Sequence, residues 1–113
     1  MESILTSIKK SVNLEEDCVD YDTDIIMHIN TVFSNLTMLG VGPSSGFRIT
    51  DNKSKWSDFL GEDIRLENVK TYTSLRVRLI FDPPSSSAVI EAMKREIDKL
   101  EWLINVTAET KQS

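Results

Sequence analysis

Two hydrophobic stripes separated by a proline break organise the second half of the chain. Between Ile64 and Phe81, the apolar residues Leu66, Val69, Tyr72, Leu75, Val77, Leu79, Ile80 and Phe81 recur at helical spacing. At roughly 100° per residue they spread over more than half of a helix's circumference. One neighbour cannot cover so wide a face. The predicted helix is therefore either the centre of a small bundle or keeps part of its surface for another chain. Pro83 and Pro84 lack N–H donors and push Asp82 out of the α region, so the helix stops there. Ser85, Ser86 and Ser87 offer capping hydroxyls to a second helix, Ser87 to Val106. That helix carries Ile90, Met93, Ile97, Leu100 and Ile104 on one side, with Glu91, Lys94, Arg95, Glu96, Asp98, Lys99 and Glu101 facing water. The short break makes the two helices near-antiparallel partners.

Upstream, Ile4, Leu5, Ile8 and Val12 mark a short helix over Ser3–Leu14, with Lys9 and Lys10 near its end. An acidic linker follows, containing Glu15, Glu16, Asp17, Asp20, Asp22 and Asp24, whose carboxylates suit the N-terminus of the next helix. From Asp24 to Leu39, Ile25, Ile26, Ile29, Val32, Phe33, Leu36 and Leu39 form the clearest helical stripe, with Gly40 in the place of a left-handed C-cap. Residues 41–46 are turn-rich. Phe47, Ile49 and the turn pair Asp51-Asn52 predict a short strand or extended arm, and Trp56, Phe59 and Leu60 fit one helical turn closed by Gly61. Thr107 to Ser113 is polar and aperiodic, which predicts a flexible C-terminal tail. The expected fold is all-α (mainly α), in a single domain over residues 1–113. It is a small bundle of four helices with a short extended arm or hairpin between the second and third long segments.

Composition narrows the chemistry. With 113 residues and 40% hydrophobic content, the chain holds one modest core. Cys18 is the single cysteine, so no internal disulfide forms and no cysteine-rich zinc set exists, which points to a reduced, intracellular setting. The start Met1-Glu2 lacks a basic signal-peptide region, and no apolar run approaches the length of a membrane span, so a soluble protein without membrane contact is expected. A formal net charge of −5 opposes binding to a nucleic-acid duplex, yet an acidic wall would let a strand slide past. The acidic linker lacks the central Gly and terminal Glu of an EF-hand, and the 41–46 turn lacks the Gly-Lys-Ser/Thr ending of a phosphate loop. His28 has no nucleophile or orienting carboxylate at a recognisable spacing. Neither catalytic nor cofactor-binding nor metal-ligating residues are expected.

The candidate residues are instead those of an interface. Trp56, Phe59 and Arg48 are types favoured at interface hot spots, although the two aromatics equally suit a lid over one end of the bundle. Arg76 falls within the apolar sector of its helix. Either its stem covers the core while the guanidinium reaches water, or it pairs with a carboxylate across a subunit boundary.

Four stretches together resemble a known family. They are Asp24-Ile25-Ile26-Met27-His28-Ile29-Asn30, Leu39-Gly40-Val41-Gly42-Pro43, Trp56-Ser57-Asp58-Phe59-Leu60 and Val77-Arg78-Leu79-Ile80-Phe81-Asp82-Pro83-Pro84. In these the chain, roughly from Asp22 to Asn105, is similar to the head–tail connector, or adaptor, proteins of tailed phages and prophages. The resemblance implies a mainly helical subunit, located in the virion neck and assembled in the host cytoplasm. It would form a homo-oligomeric ring under the portal protein, extend the DNA channel without binding DNA specifically, and receive the next connector, a stopper or tail-completion protein. It carries no catalytic residues. On this reading the end of the last helix and the tail, with Trp102, Thr107 and Lys111, are expected to meet the portal, while Trp102 could instead pack on Ile4 or Ile8. The alternative is a small helical regulator of antitoxin or anti-repressor type, acting as a dimer on one protein partner.

Overall fold

Ser3 sets the start of the first helix: its Oγ accepts the Thr6 N–H at 3.1 Å and satisfies one of the donors that every helix start leaves unpaired. In a computed structural model that describes the backbone of residues 3–112 and the side chains of residues 3–106, this helix, α1, spans Ile4–Ser11. It ends in a Schellman turn. Asn13 takes a positive φ of 66°, and the Asn13 and Leu14 amides return to the Lys10 and Lys9 carbonyls at 3.2 and 2.8 Å. The second helix, α2, spans Asp22–Met38 and ends the same way. Gly40 has φ 85°, and Val41, fully buried, donates to the Leu36 carbonyl at 2.9 Å. α2 starts two residues before the expected Asp24 because Lys9 reaches across. Its buried ammonium donates to the carbonyls of Glu16 (3.0 Å) and Cys18 (2.6 Å) and pairs with Asp22 at 2.8 Å, using all three of its protons. The linker that reads as merely acidic is thus folded around a buried cation.

Residues 47–55 form an extended arm, as expected, but no hairpin. Asn30 of α2 stands in for a partner strand: its Oδ1 accepts the Ile49 N–H at 2.8 Å and its Nδ2 donates to the Ile49 carbonyl at 2.9 Å. At the far end the arm meets the start of α1, where the Ile4 N–H donates to the Ser54 carbonyl at 2.8 Å. The one-turn α3, Trp56–Leu60, is capped by Asp58, whose carboxylate accepts the Lys55 N–H at 2.8 Å. Then comes α4, Leu66–Phe81, two residues shorter at its start than the apolar pattern suggests. Ile64 lies outside it, 77% exposed. Asp63 terminates the preceding turn and chelates Arg65, a buried residue whose guanidinium also donates to the Gly40 carbonyl at 3.3 Å. That one side chain ties the end of α2 to the beginning of α4.

α4 is the centre of the bundle, packing against α1, α2 and the last helix, α5, Ser87–Gln112. Its Val69, Tyr72, Thr73 and Val77 are fully buried. Asp82, at φ −146° and ψ 68°, is out of the α region as the two prolines demand. α4 and α5 run antiparallel, since Tyr72 meets Glu101 while Leu79 and Ile80 share a cleft with Lys94 and Ile97. α5 buries the expected stripe of Met93, Ile97, Leu100 and Ile104. It extends past the Val106 boundary that periodicity suggests. The side chains from 107 onward lie outside the described residues, and with them the expectations for Thr107, Lys111 and a flexible 107–113 tail. The molecule is a slab of 43 × 35 × 21 Å, about two helices thick.

The Asn30 clamp yields a prediction. Asn30→Ala leaves the half-buried Ile49 N–H and carbonyl without partners, and should destabilise the fold by about 2 kcal/mol, seen as a fall of about 8 °C in melting temperature. Asn30→Asp, which keeps the acceptor, should recover part of that loss.

Candidate interaction surfaces

The contact between α4 and α5 is sealed by a polar cluster built on helical spacing. Tyr72 and Arg76 stand one turn apart on α4, and both donate to the same oxygen of Glu101 on α5, at 2.7 and 3.0 Å. Arg76 also donates to the Tyr72 hydroxyl at 3.1 Å, with its guanidinium carbon 5.5 Å from the tyrosine ring centre. Burial, reinforced by the hydrogen bond to Glu101 and opposed by the Arg76 charge, pushes the Tyr72 hydroxyl up to about 12. Glu101, expected to face water, is therefore a structural acceptor. Arg76 pairs with a carboxylate, and that carboxylate is Glu101 of its own chain.

Trp56 and Phe59 are also corrected from interface to core, since they are only 4% and 3% exposed. Phe33 of α2 gathers them: its ring centre lies 4.4 Å from Phe59 and 6.0 Å from Trp56, while Phe47 of the arm stacks on Phe59 at 5.0 Å. The Trp56 Nε1–H donates to Ser7 Oγ at 2.9 Å, which fixes the indole against α1. Gly42 completes the lid. It has φ 78°, and a Cβ there would collide with the Phe59 ring. The aromatics are thus the lid of the bundle, the second of the two roles that their sequence allowed.

Two surfaces remain. Along the side of α2 turned from the core runs a groove of about 800 Å³, floored by Met27, Asn30, Thr31, Ser34 and Met38 and walled by Ser45, Phe47 and Arg48 of the connector and arm. Met27 and Met38 are 57% and 85% exposed. Arg48 is exposed and has no ion-pair partner among the described residues, and no carboxylate lines the groove. The second surface is the outer side of α5, where Trp102 is 64% exposed; Ile80 near the end of α4 and Val89 near the start of α5 are separately 50% and 45% exposed. Trp102 does not pack into the subunit, so the alternative contact with Ile4 or Ile8 is not the one made. Of the sequence candidates, Arg48 and Trp102 are at the surface, and they stand on different faces. The groove itself was missed. Its signal lay in Met27 and Met38, large apolar residues that fall off the core stripe of their helix.

Among the described residues no three His, Cys, Asp or Glu side chains are grouped to hold a metal ion, and no helix is long and apolar enough to cross a membrane. A sequence profile described as "Phage connector protein" matches residues 4–111, nearly the whole chain. The chain belongs to the phage connector family. No curated protein and no solved structure matches it. The connector family is structural rather than enzymatic, and membership makes this connector protein a component of the phage particle.

For this connector protein the α4–α5 cluster predicts two effects. Arg76→Ala should lower the melting temperature of the isolated subunit, because it removes the charge-assisted bond to Glu101 and the cover over Tyr72. The second effect concerns alkaline pH. Tyr72 holds its proton more tightly folded than unfolded, where its value is near 10, so its contribution is complete below pH 10 and is lost as pH rises towards 12. A melting series from pH 9 to 11.5 should show a decline that Tyr72→Phe makes shallower.

Proposed function

We propose that this connector protein is the adaptor of a tailed phage: a structural subunit that forms a ring beneath the portal protein, extends the DNA channel and presents a platform to the next protein of the neck. The observation that carries this reading is the family match across residues 4–111. The surface supports it. A closed ring of identical copies needs two unlike, complementary patches on each subunit, whereas a two-fold dimer needs one patch that matches itself. The α2 groove and the outer side of α5 are two such unlike surfaces. A dimeric regulator of antitoxin or anti-repressor type would leave one of them unexplained. The net charge of −5 suits a channel wall that passes DNA without holding it.

Electron microscopy of the protein mixed with the portal from the same gene neighbourhood tests the assignment. A ring coaxial with the portal is the expected image, and a closed dimer that leaves the portal bare would replace the adaptor with the regulator. In a gel-shift assay at physiological salt, the isolated protein should bind duplex DNA more weakly than about 100 μM, the loose end of non-specific binding.

A further inference from the structure

We infer that the outer face of α5, centred on Trp102, docks into the α2 groove of a second copy of this chain. The inference rests on the adaptor reading and names the contact that builds its ring.

The first argument is geometric. From Thr23 to Met38 the groove follows α2 for about 22 Å, the length of four helical turns. On α5, Glu91, Arg95, Asp98 and Trp102 recur at steps of four, three and four, so they form one exposed stripe about 16 Å long, short enough for the groove to hold, with Asp98 at its edge, where it also lines the cleft with Arg76, Leu79 and Ile80 of α4. A helix laid along the groove would set Trp102 on its floor and the charged residues of the stripe towards its rim. Between Met27 and Met38 that floor consists of Asn30, Thr31 and Ser34. Such short side chains let another helix approach, and either flexible thioether, about 16 Å from the other along α2, can pack against an indole.

Charge is the second argument. The groove holds the Arg48 cation and no carboxylate. The α5 stripe holds the carboxylates of Glu91 and Asp98 against the single cation of Arg95. Asp98, one turn before Trp102, has no ion-pair partner among the described residues; Glu91 is held only loosely, with Lys94 at 4.0 Å. With Trp102 against one of the methionines, Asp98 at the edge of the stripe and Arg48 on the wall can meet at the rim, where the pair would set register more than strength.

Area is the third. A helix face of about 22 by 10 Å covers roughly 220 Å², well short of the ~800 Å² per partner of a stable complex. One such contact does not hold two free copies together. In a ring every subunit makes it twice, once through each surface, and closure on a template adds the contacts up. The occupant is thus a copy held in a ring, and the free protein is monomeric.

The test uses the full chain in assembled phage particles, with Cys18→Ser as background. Ser34→Cys and Lys99→Cys on one chain should, on oxidation, give a ladder of dimer, trimer and higher multimers, and neither single variant should cross-link. Dimers from Lys99→Cys alone would show α5 pairing with itself and would overturn the docking. Particles that contain the two-cysteine chain but yield no ladder would overturn it while leaving the adaptor reading in place. Particles that lack even the wild-type chain would overturn the adaptor reading and the docking together. Trp102→Ala gives an independent measure. Because the indole is 64% exposed, the subunit's melting temperature should not change, while incorporation into particles should fall at least tenfold. Normal incorporation of Trp102→Ala would refute the docking.

Discussion

The structure depends on covering α4. Its apolar residues occupy too much of the helix for one partner, and α1, α2 and α5 all pack against it. Burying a side chain the size of Val or Tyr contributes about 1.5–3 kcal/mol, and α4 places Val69, Tyr72 and Val77 out of water entirely. Among the described residues α4 alone packs extensively against all three other long helices, and much of the topology follows from this requirement. The proline pair returns the chain along α4 as α5, and the extended arm carries it from the end of α2 back to the start of α1 before α4 begins.

Hydrophobic periodicity made the four long helices legible because their stripes are regular and local: 25, 29, 32, 33 and 36 on α2, and 93, 97, 100 and 104 on α5. Chain-terminating chemistry was legible for the same reason. Gly40, Gly61 and Asp82-Pro83-Pro84 act on their own backbone, and each stands where its conformational preference places it. The lengths of elements were less legible. α2 begins early because Lys9, thirteen residues before Asp22 in sequence, reaches that carboxylate; α4 begins late because Arg65 is held by Asp63 and Gly40.

Those long-range polar contacts mark the limit of reading a chain by pattern. Lys9 sits among solvent-like residues, Asn30 within an apolar stripe, and Glu101 in a run of surface charges, and nothing in their spacing says that each is a tie between elements. Their partners include backbone carbonyls at Glu16, Cys18, Gly40 and Ile49, groups that every residue carries. A sequence therefore gives no sign of which ones are chosen. The interface candidates were ambiguous for a related reason. Trp56, Phe59 and Arg76 belong to residue types suited to either a core or an interface, and only the packing of Phe33, Phe47 and Glu101 around them decides.

What the fold leaves uncovered is as structured as what it buries. Single exposed apolar residues are ordinary on any protein surface. α2 is different, because it carries apolar residues on two opposed faces: one closes on the core, and the other, with Met27 and Met38, forms a groove that the subunit does not fill. A helix apolar on both sides is normally sandwiched, and here the fold supplies one side only. α5 has the converse problem, since it rests on α4 and turns a tryptophan outward. Two half-covered helices leave each subunit with two unlike surfaces to satisfy. They are satisfied together when each copy gives one surface and receives the other, and repetition of that contact around an axis would build the ring proposed above.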